Sequence, residues 1–462
     1  MAARVIVIGA GPAGVRAAQK LVQAGLRAVV IDEGRRDGGQ IYRRQPEDFK
    51  RSYEALYGTE AERAMKLHQD FDALRAQIDF VPETLVWNIE PNAVHVVQGT
   101  RHRKISFDKL IICSGATDRL MPVPGWHHAG AYSLGGAQVA LKSQGCAIGS
   151  RVVMMGSGPL LYLVASQYVK AGATVAAVLD TSTLMQRVRA LPLLLAVPST
   201  LKKGIALMSV LKRAGVPVHR GITPVSIDGT PEHGVQGVRV TLANGSTLEV
   251  KCDAVALGYH LRSETQLADL AGCEFRFDQD LQQWIPSVDE DGRSSIKSVY
   301  VAGDGARVRG ADAAECAGQL AACAALADLG LAVDASETES LRSKLSRFTR
   351  FAAGLRAAFP WPARFAAALP DDTIVCRCEA ITAGELRRVV NEMGAKEANR
   401  AKAFSRVGMG RCQGRFCAHA GAEVIAAEAR VPLEAVGRLR GQAPVKPLPM
   451  SLASQEEKET SE

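Results

Sequence analysis

The sequence predicts an α/β protein, with two doubly wound strand–turn–helix–strand folds followed by a small helical domain at the C-terminus. Two glycine-rich turns, one at the start and one in the middle of the chain, predict the two folds. Four cysteines in two close pairs predict that the last unit holds a metal centre.

The first fold opens at once. Arg4 to Ile8 reads as a buried strand and is followed by Gly9-Ala10-Gly11-Pro12-Ala13-Gly14. A helical stretch carries Ala17, Ala18, Leu21 and Val22 to a stop at Gly25, and a second apolar strand, Ala28 to Ile31, ends at Asp32-Glu33. Strand, GxGxxG, helix, strand and acid in this order form the fingerprint of a dinucleotide site. Gly9 is expected to make the tight turn. Gly11, beside Pro12 and Ala13, is expected to let a pyrophosphate approach the helix N-terminus. Gly14 lets helix and strand pack closely. Asp32 is expected to accept the ribose hydroxyls, with Glu33 as the second candidate.

The middle of the chain repeats the pattern. A strand from Arg151 to Met155 precedes Gly156-Ser157-Gly158-Pro159-Leu160-Leu161, a helix runs to Gly172, and Val175 to Leu179 ends at Asp180. Leu161 replaces the third glycine, and is expected to push helix from strand or to fill the nucleotide crevice. No basic residue directly follows Asp180, so a 2′-phosphate lacks a partner and NADP is disfavoured. NAD, another nucleotide and an empty structural fold stay open. Asn244-Gly245 predicts a hairpin between Val238–Leu242 and Thr247–Val250.

The C-terminal cysteines are Cys376, Cys378, Cys412 and Cys417, spaced C-x-C and C-x4-C with thirty-three residues between the pairs. Four converging thiolates suit an iron–sulfur cluster or zinc. Structural zinc more often uses C-x2-C knuckles. Arg377, Arg411 and Arg415, with Gly408, Gly410 and Gly414, supply positive charge and open backbone N–H groups, which favour a net-negative [2Fe–2S] centre. Thr382 and Glu385 form a capping box that starts a helix after Cys378, and a second helix is expected beside Cys417. The other thiols, Cys113, Cys146, Cys252, Cys273, Cys316 and Cys323, form no close redox pair and are expected to be buried.

The length of 462 residues allows two to three domains. Ten cysteines without a secretion-like leader suggest a reducing cytoplasm. No run is apolar and long enough to span a membrane; the best, Ala190 to Val197, contains Pro192. The net charge is +8. It reads as a solvated surface and cluster counter-charge, with an acidic protein partner as the sharper alternative. No aromatic interleaving accompanies it, which argues against nucleic acid.

Three more segments bear on the first fold: Gly38-Gly39-Gln40, the strand and turn from Leu110 to Thr117, and Val299 to Gly305. With GxGxxG they resemble the two-dinucleotide-fold flavoproteins of the thioredoxin and glutathione reductase type. The resemblance implies FAD, with Asp304 at the ribityl chain, Gly39 and Gln40 near ribose and phosphate, Val86 near the adenine, and Gly115 and Gly303 among the cofactor-binding residues. The redox cysteine pair of the disulfide reductases is missing here.

The stretch Gly408-Met409-Gly410-Arg411-Cys412-Gln413-Gly414-Arg415-Phe416-Cys417 resembles bacterioferritin-associated ferredoxin. The whole assembly resembles the alpha-type subunits of hetero-oligomeric bacterial amino-acid dehydrogenases and oxidases, the group of opine oxidase, D-hydroxyproline dehydrogenase and hydrogen cyanide synthase. That implies an electron-transfer subunit with FAD and [2Fe–2S]. Its partners would be an FAD-containing beta subunit that oxidises the amine, a small gamma subunit in some members, and a downstream acceptor. An FMN at the subunit junction is a further implied cofactor. Gly258-Tyr259-His260-Leu261-Arg262 departs from the usual Gly-x-x-Pro turn of this family. The alternative from another class is a self-contained NADH-dependent reductase of a ferredoxin-type acceptor; a third is an iron-sensing scaffold. No catalytic residue is assigned; His127-His128 is the nearest candidate. The expected boundaries are 1–125 with 291–333 for the first fold, 126–290 for the second, 334–370 for a connector, 371–445 for the cluster domain and 446–462 for a tail.

Overall fold

The computed structural model describes residues 3–49 and 51–449. The expected disordered last dozen residues lie outside that range. The first fold is a five-stranded sheet in the order 299–301, 109–112, 5–8, 29–31, 79–81, parallel throughout. Its inner strands are short apolar runs buried on both faces, as a helix-covered parallel sheet requires. Helix Pro12–Gln23 packs on one face beside helix Ala311–Ala327. The contact is close because both helices present small residues: a Cβ on Gly318 would lie 2.0 Å from the Ala13 carbonyl oxygen.

The second fold repeats the plan, with parallel strands ordered 218–220, 174–180, 151–157, 254–259, 131–133. The expected hairpin forms, with Gly245 at φ +85°. Two short antiparallel strands, Ala116–Asp118 and Leu261–Ser263, carry the chain into and out of this fold. Beyond them the chain does not stay with the second fold to residue 290. Ala268 and Cys273 share a core with Ile6, Ile8 and Ile112 of the first, because the returning segment buries its apolar side chains against the first sheet.

The connector is a long helix, Ala335–Ala358, started by Asp334 accepting from the N–H groups of Ser336 and Glu337. Its Leu341 and Leu345 pack on Cys316 and Leu320 of the first fold. Phe351 and Ala358 pack on Ala190 and Leu194 of the second. The cluster domain follows. Its capping box is present as expected: Thr382 accepts from Glu385 N–H and Glu385 accepts from Thr382 N–H. Val375, Leu386 and Val424 of this domain share one core with Trp126, Val153 and Val255 of the second fold. Five of the six remaining thiols are buried; Cys146 is exposed, contrary to expectation, because it lies in the loop after helix Leu134–Ser143. No helix among the described residues is long and apolar enough to cross a membrane.

Candidate functional site

The glycine-rich turn of the first fold sorts its glycines by task. Gly9 sits at φ +100°, and a Cβ there would meet the Cys113 carbonyl oxygen at 2.4 Å. A Cβ on Gly14 would lie 1.7 Å from the Gly9 oxygen, so helix and turn touch there. Around Gly11, its chain neighbours aside, the only atom of the described residues within 4 Å of such a Cβ is the Gly39 Cα, at 3.6 Å. The protein's own packing therefore does not require Gly11; the space beside it suits a ligand. Helix Pro12–Gln23 starts at Gly11 with no side-chain cap, which leaves its first N–H groups and its positive dipole end for an anion.

The other expected residues gather along the same cleft. Gly303 touches Ala13, its Cβ position 2.8 Å from the Ala13 Cβ. Gly305 abuts Ser114 and Gly115, and Gly115, at φ +72°, has nothing within 4 Å of its open side. Asp304 Oδ1 accepts from Arg309 N–H at 2.8 Å and Gly310 N–H at 3.1 Å. Burial raises its carboxyl pKa, opposed by those two N–H groups. Asp32 accepts from Ala10 N–H at 2.5 Å and Gly34 N–H at 2.6 Å, so it holds the turn as well as presenting oxygen lone pairs. Glu33 is exposed and pairs with Lys446, which turns it toward the tail. Gln40 is exposed. Val86 buries its side chain among Ile8 and Ile31.

The four C-terminal cysteines line one cavity of about 410 Å³, with Leu120, Trp126 and Tyr132 of the second fold on its other wall. Cys376 ends a short strand, Ile374–Cys376, and Cys417 caps helix Ala418–Ala429. The thiols follow one another in space: Cys417 hydrogen-bonds with Cys376 and Cys412, and Cys412 with Cys378. Cys417 first, then backbone N–H groups of Gly408, Glu379 and Cys378 against the effect of burial, bring the Cys376 thiol down to about 6. Cys412 is lowered in the same way, by Cys417 and by the N–H groups of Phe416 and Gly414, while Cys417 is raised. Backbone N–H groups aimed at sulfur are what a negatively charged cluster needs. Gly410 is required by the site's own packing, since a Cβ there would lie 2.2 Å from the Cys378 Cβ. No three ligating side chains among the described residues are gathered as they would be around one metal ion; the thiols surround a cavity instead.

The flanking arginines divide. Arg377 lies 5.2 Å over the Trp126 ring and donates to the Ala131 carbonyl. Arg411 is an exposed wall of the cavity. Arg415, expected as cluster counter-charge, is engaged by Glu264 at 2.9 Å and by the carbonyls of Cys412 and Val445. Arg262 joins them, although no motif in the sequence marks it for this site. Burial lowers its pKa, Glu264 opposes that, and it faces Arg415, Cys417 and Cys412. Glu264 N–H donates to the Gly115 carbonyl, and its own carbonyl accepts from Ser114 Oγ. One residue thus spans from the Ser114–Gly115 turn of the first fold to the cysteine loop. Gln266 adds a bond to the Gln413 carbonyl at 2.6 Å. The only signal for these residues in the sequence is the departure at Gly258 to Arg262. Leu161 does not fill the crevice; it is fully buried among Leu134, Ala137 and Val164. His127 is exposed and lies against His128, ring centroids 4.5 Å apart and tilted by 36°.

Comparison with known proteins agrees with this geometry. The pyridine nucleotide-disulphide oxidoreductase family matches residues 3–321. The chain belongs to that family. Residues 374–427 match the BFD-like [2Fe-2S] binding domain, so the four-cysteine unit is a [2Fe–2S] domain on a flavoprotein oxidoreductase. The A-type subunit of opine oxidase from Rhizobium meliloti is 38% identical over 98% of this chain and 87% of its own length. Its counterpart from Agrobacterium tumefaciens opine oxidase is 38% identical over 96% and 90%. Hydrogen cyanide synthase subunit HcnB of Pseudomonas aeruginosa is 31% identical over 97% and 97%. Among solved structures, L-proline dehydrogenase from P. horikoshii shares the fold with TM-score 0.68 and 20% identity over 98% of this chain and 79% of that one. The protein is of the same subunit type as these oxidase and synthase chains.

Proposed function

We propose that this chain relays electrons within a hetero-oligomeric dehydrogenase of an amino acid or secondary amine, in the class of opines or D-hydroxyproline, while a flavin-containing partner subunit oxidises the substrate. The observation that carries the reading is the direct bonding of the cysteine loop to the flavin-side turn, from Arg415 through Glu264 to Gly115. FAD supplies electron storage in one- and two-electron steps, and the cluster supplies one-electron transfer.

The chain's own residues hold and orient these groups. Gly11, Gly39, Gly115, Gly303 and Asp304 form the cleft for FAD, with helix Pro12–Gln23 offering N–H groups to its pyrophosphate and Asp32 accepting from its ribose. Cys376, Cys378, Cys412 and Cys417 hold the cluster. Glu264 and Gln266 fix the cluster loop against the flavin fold. The buried pair His419–Glu423 is engaged by Arg119 and Trp361, and oxidation of the amine is assigned to the partner subunit. Tyr132, Arg377, Arg411 and Phe416, the exposed residues that line the cysteine cavity, suit a docked partner, and an FMN at that junction is to be sought there.

The test is stopped-flow reduction with NADH, NADPH, hydroxyproline and opines, with and without the co-expressed partner. Flavin bleaching by an amine only in the complex is expected. Bleaching by an amine in the lone subunit would move the substrate pocket onto this chain, and rapid bleaching by NADH would replace the relay with the reductase alternative.

A further inference from the structure

In an open parallel sheet, a nucleotide binds outside the carboxyl ends of the strands where their order reverses. In the second fold that point lies between strands 151–157 and 254–259, which end at Ser157 and Tyr259. The protein's own side chains occupy it. The His260 ring follows the strand end and lies 3.4 Å from the position a Cβ on Gly158 would take. Gly158 is the glycine whose bare backbone a pyrophosphate would approach. His260 Nε2 bonds the Phe359 carbonyl at 2.5 Å, and the two rings meet edge to face with centroids 6.0 Å apart.

Asp180, the acid that would meet the ribose, is fully buried and satisfied. It accepts from the Tyr162 hydroxyl at 2.5 Å and Ser182 N–H at 2.7 Å, and pairs with Arg187. The Arg187 guanidinium is 5.0 Å from the Tyr162 ring centroid and 4.8 Å from that of Phe359. Phe359 ends the connector helix. Two residues on, Trp361 donates to Glu423 at 2.7 Å and lies under Arg119 at 4.0 Å. It also meets Tyr259 of the second fold at 5.9 Å and His419 of the cluster domain at 4.8 Å between ring centroids.

We propose that the crevice of the second fold has become a socket for the connector: Phe359 is the peg, His260 and Arg187 are its walls, and through Trp361 the socket anchors the cluster domain while excluding a nicotinamide dinucleotide. The socket stands on this geometry alone, so it can fail while the amine-relay reading holds, and the reverse.

The holoprotein is titrated with NADH and with ADP-ribose by equilibrium dialysis, and the connector is probed with trypsin, which has a site at Arg364. The wild type should show no saturable binding below the millimolar range and slow cleavage. Phe359→Ala with Arg187→Gln should bind NADH at least tenfold better and be cut several-fold faster. Phe359→Leu, which keeps most of the volume, should fall between, with flavin content reporting an intact fold. Micromolar binding of either nucleotide by the wild type would overturn the proposal. So would a Phe359→Leu protein that stays intact and whose cleavage and nucleotide binding match the wild type.

Discussion

The two dinucleotide folds share the order of four of their five strands, a glycine-rich turn and an acid at the end of the second strand, yet they differ in what lies over the second glycine. At Gly11 the neighbour is another glycine, and the helix N-terminus faces an open cleft. At Gly158 it is an imidazole. The acids differ accordingly: Asp32 is held by two backbone N–H groups, whereas Asp180 is neutralised by an arginine and a tyrosine from its own fold. A GxGxxG turn therefore specifies a backbone shape, and the residues arriving from elsewhere decide whether the shape holds a cofactor.

The largest effect expected from this contrast is at the second glycines. Gly11→Leu should abolish FAD retention, because its side chain enters the open space beside the turn; Gly158→Ala, though strained at φ +113°, lies in the other fold and should leave flavin content unchanged. Acid release and chromatography of the flavin measure both, and recovery of FMN alone from the wild type would contradict the assignment. A comparable loss is expected at the other centre. Cys412→Ser should reduce iron and acid-labile sulfide from two of each per chain and remove the EPR signal of the dithionite-reduced protein while FAD stays bound; stoichiometric zinc in the wild type would end the cluster assignment.

Asp304→Ala should weaken FAD binding by roughly 1–3 kcal/mol, the worth of a charged hydrogen bond, measured by flavin release on dilution. Asp304→Asn should recover part of it, since one oxygen acceptor remains.

The smallest effect sharpens the contrast through pH. Burial, first, holds the His260 imidazole down to about 4 from 6.5, with Arg119 and Arg356 lowering it further against the Phe359 carbonyl. Above about 6.5 the ring is neutral in folded and unfolded chain alike. Between 6.5 and 4 only the unfolded chain gains the proton, so stability falls as pH drops, by up to about 1.4 kcal/mol per pH unit for this group. His260→Gln should flatten the dependence of Tm between pH 6.5 and 4.5; an unchanged slope would show that the ring is not held neutral.

Local chemistry makes much of this legible in the sequence. Gly9, Gly11 and Gly14, the Thr382–Glu385 capping box and the two cysteine pairs each act over a few residues, where spacing alone specifies geometry. What spacing does not show comes from contacts far apart in the chain. Phe359 meets His260 across 99 residues, Arg415 meets Glu264 across 151, and Arg119 meets His419 across 300. Leu161 departs from its expected place for the same reason: the helix Leu134–Ser143 that receives it is set by the tertiary fold and not by the turn.

The core shared by the cluster domain and the second fold bears on how this protein can be divided. A chain cut after residue 370 would take Val375, Leu386 and Val424 out of that core and deprive the Trp126 indole of its acceptor, the Ile374 carbonyl. The flavin half and the iron–sulfur half are thus two faces of one folding unit. Grafting the ferredoxin-like tail onto another oxidoreductase would require its seat to be carried with it.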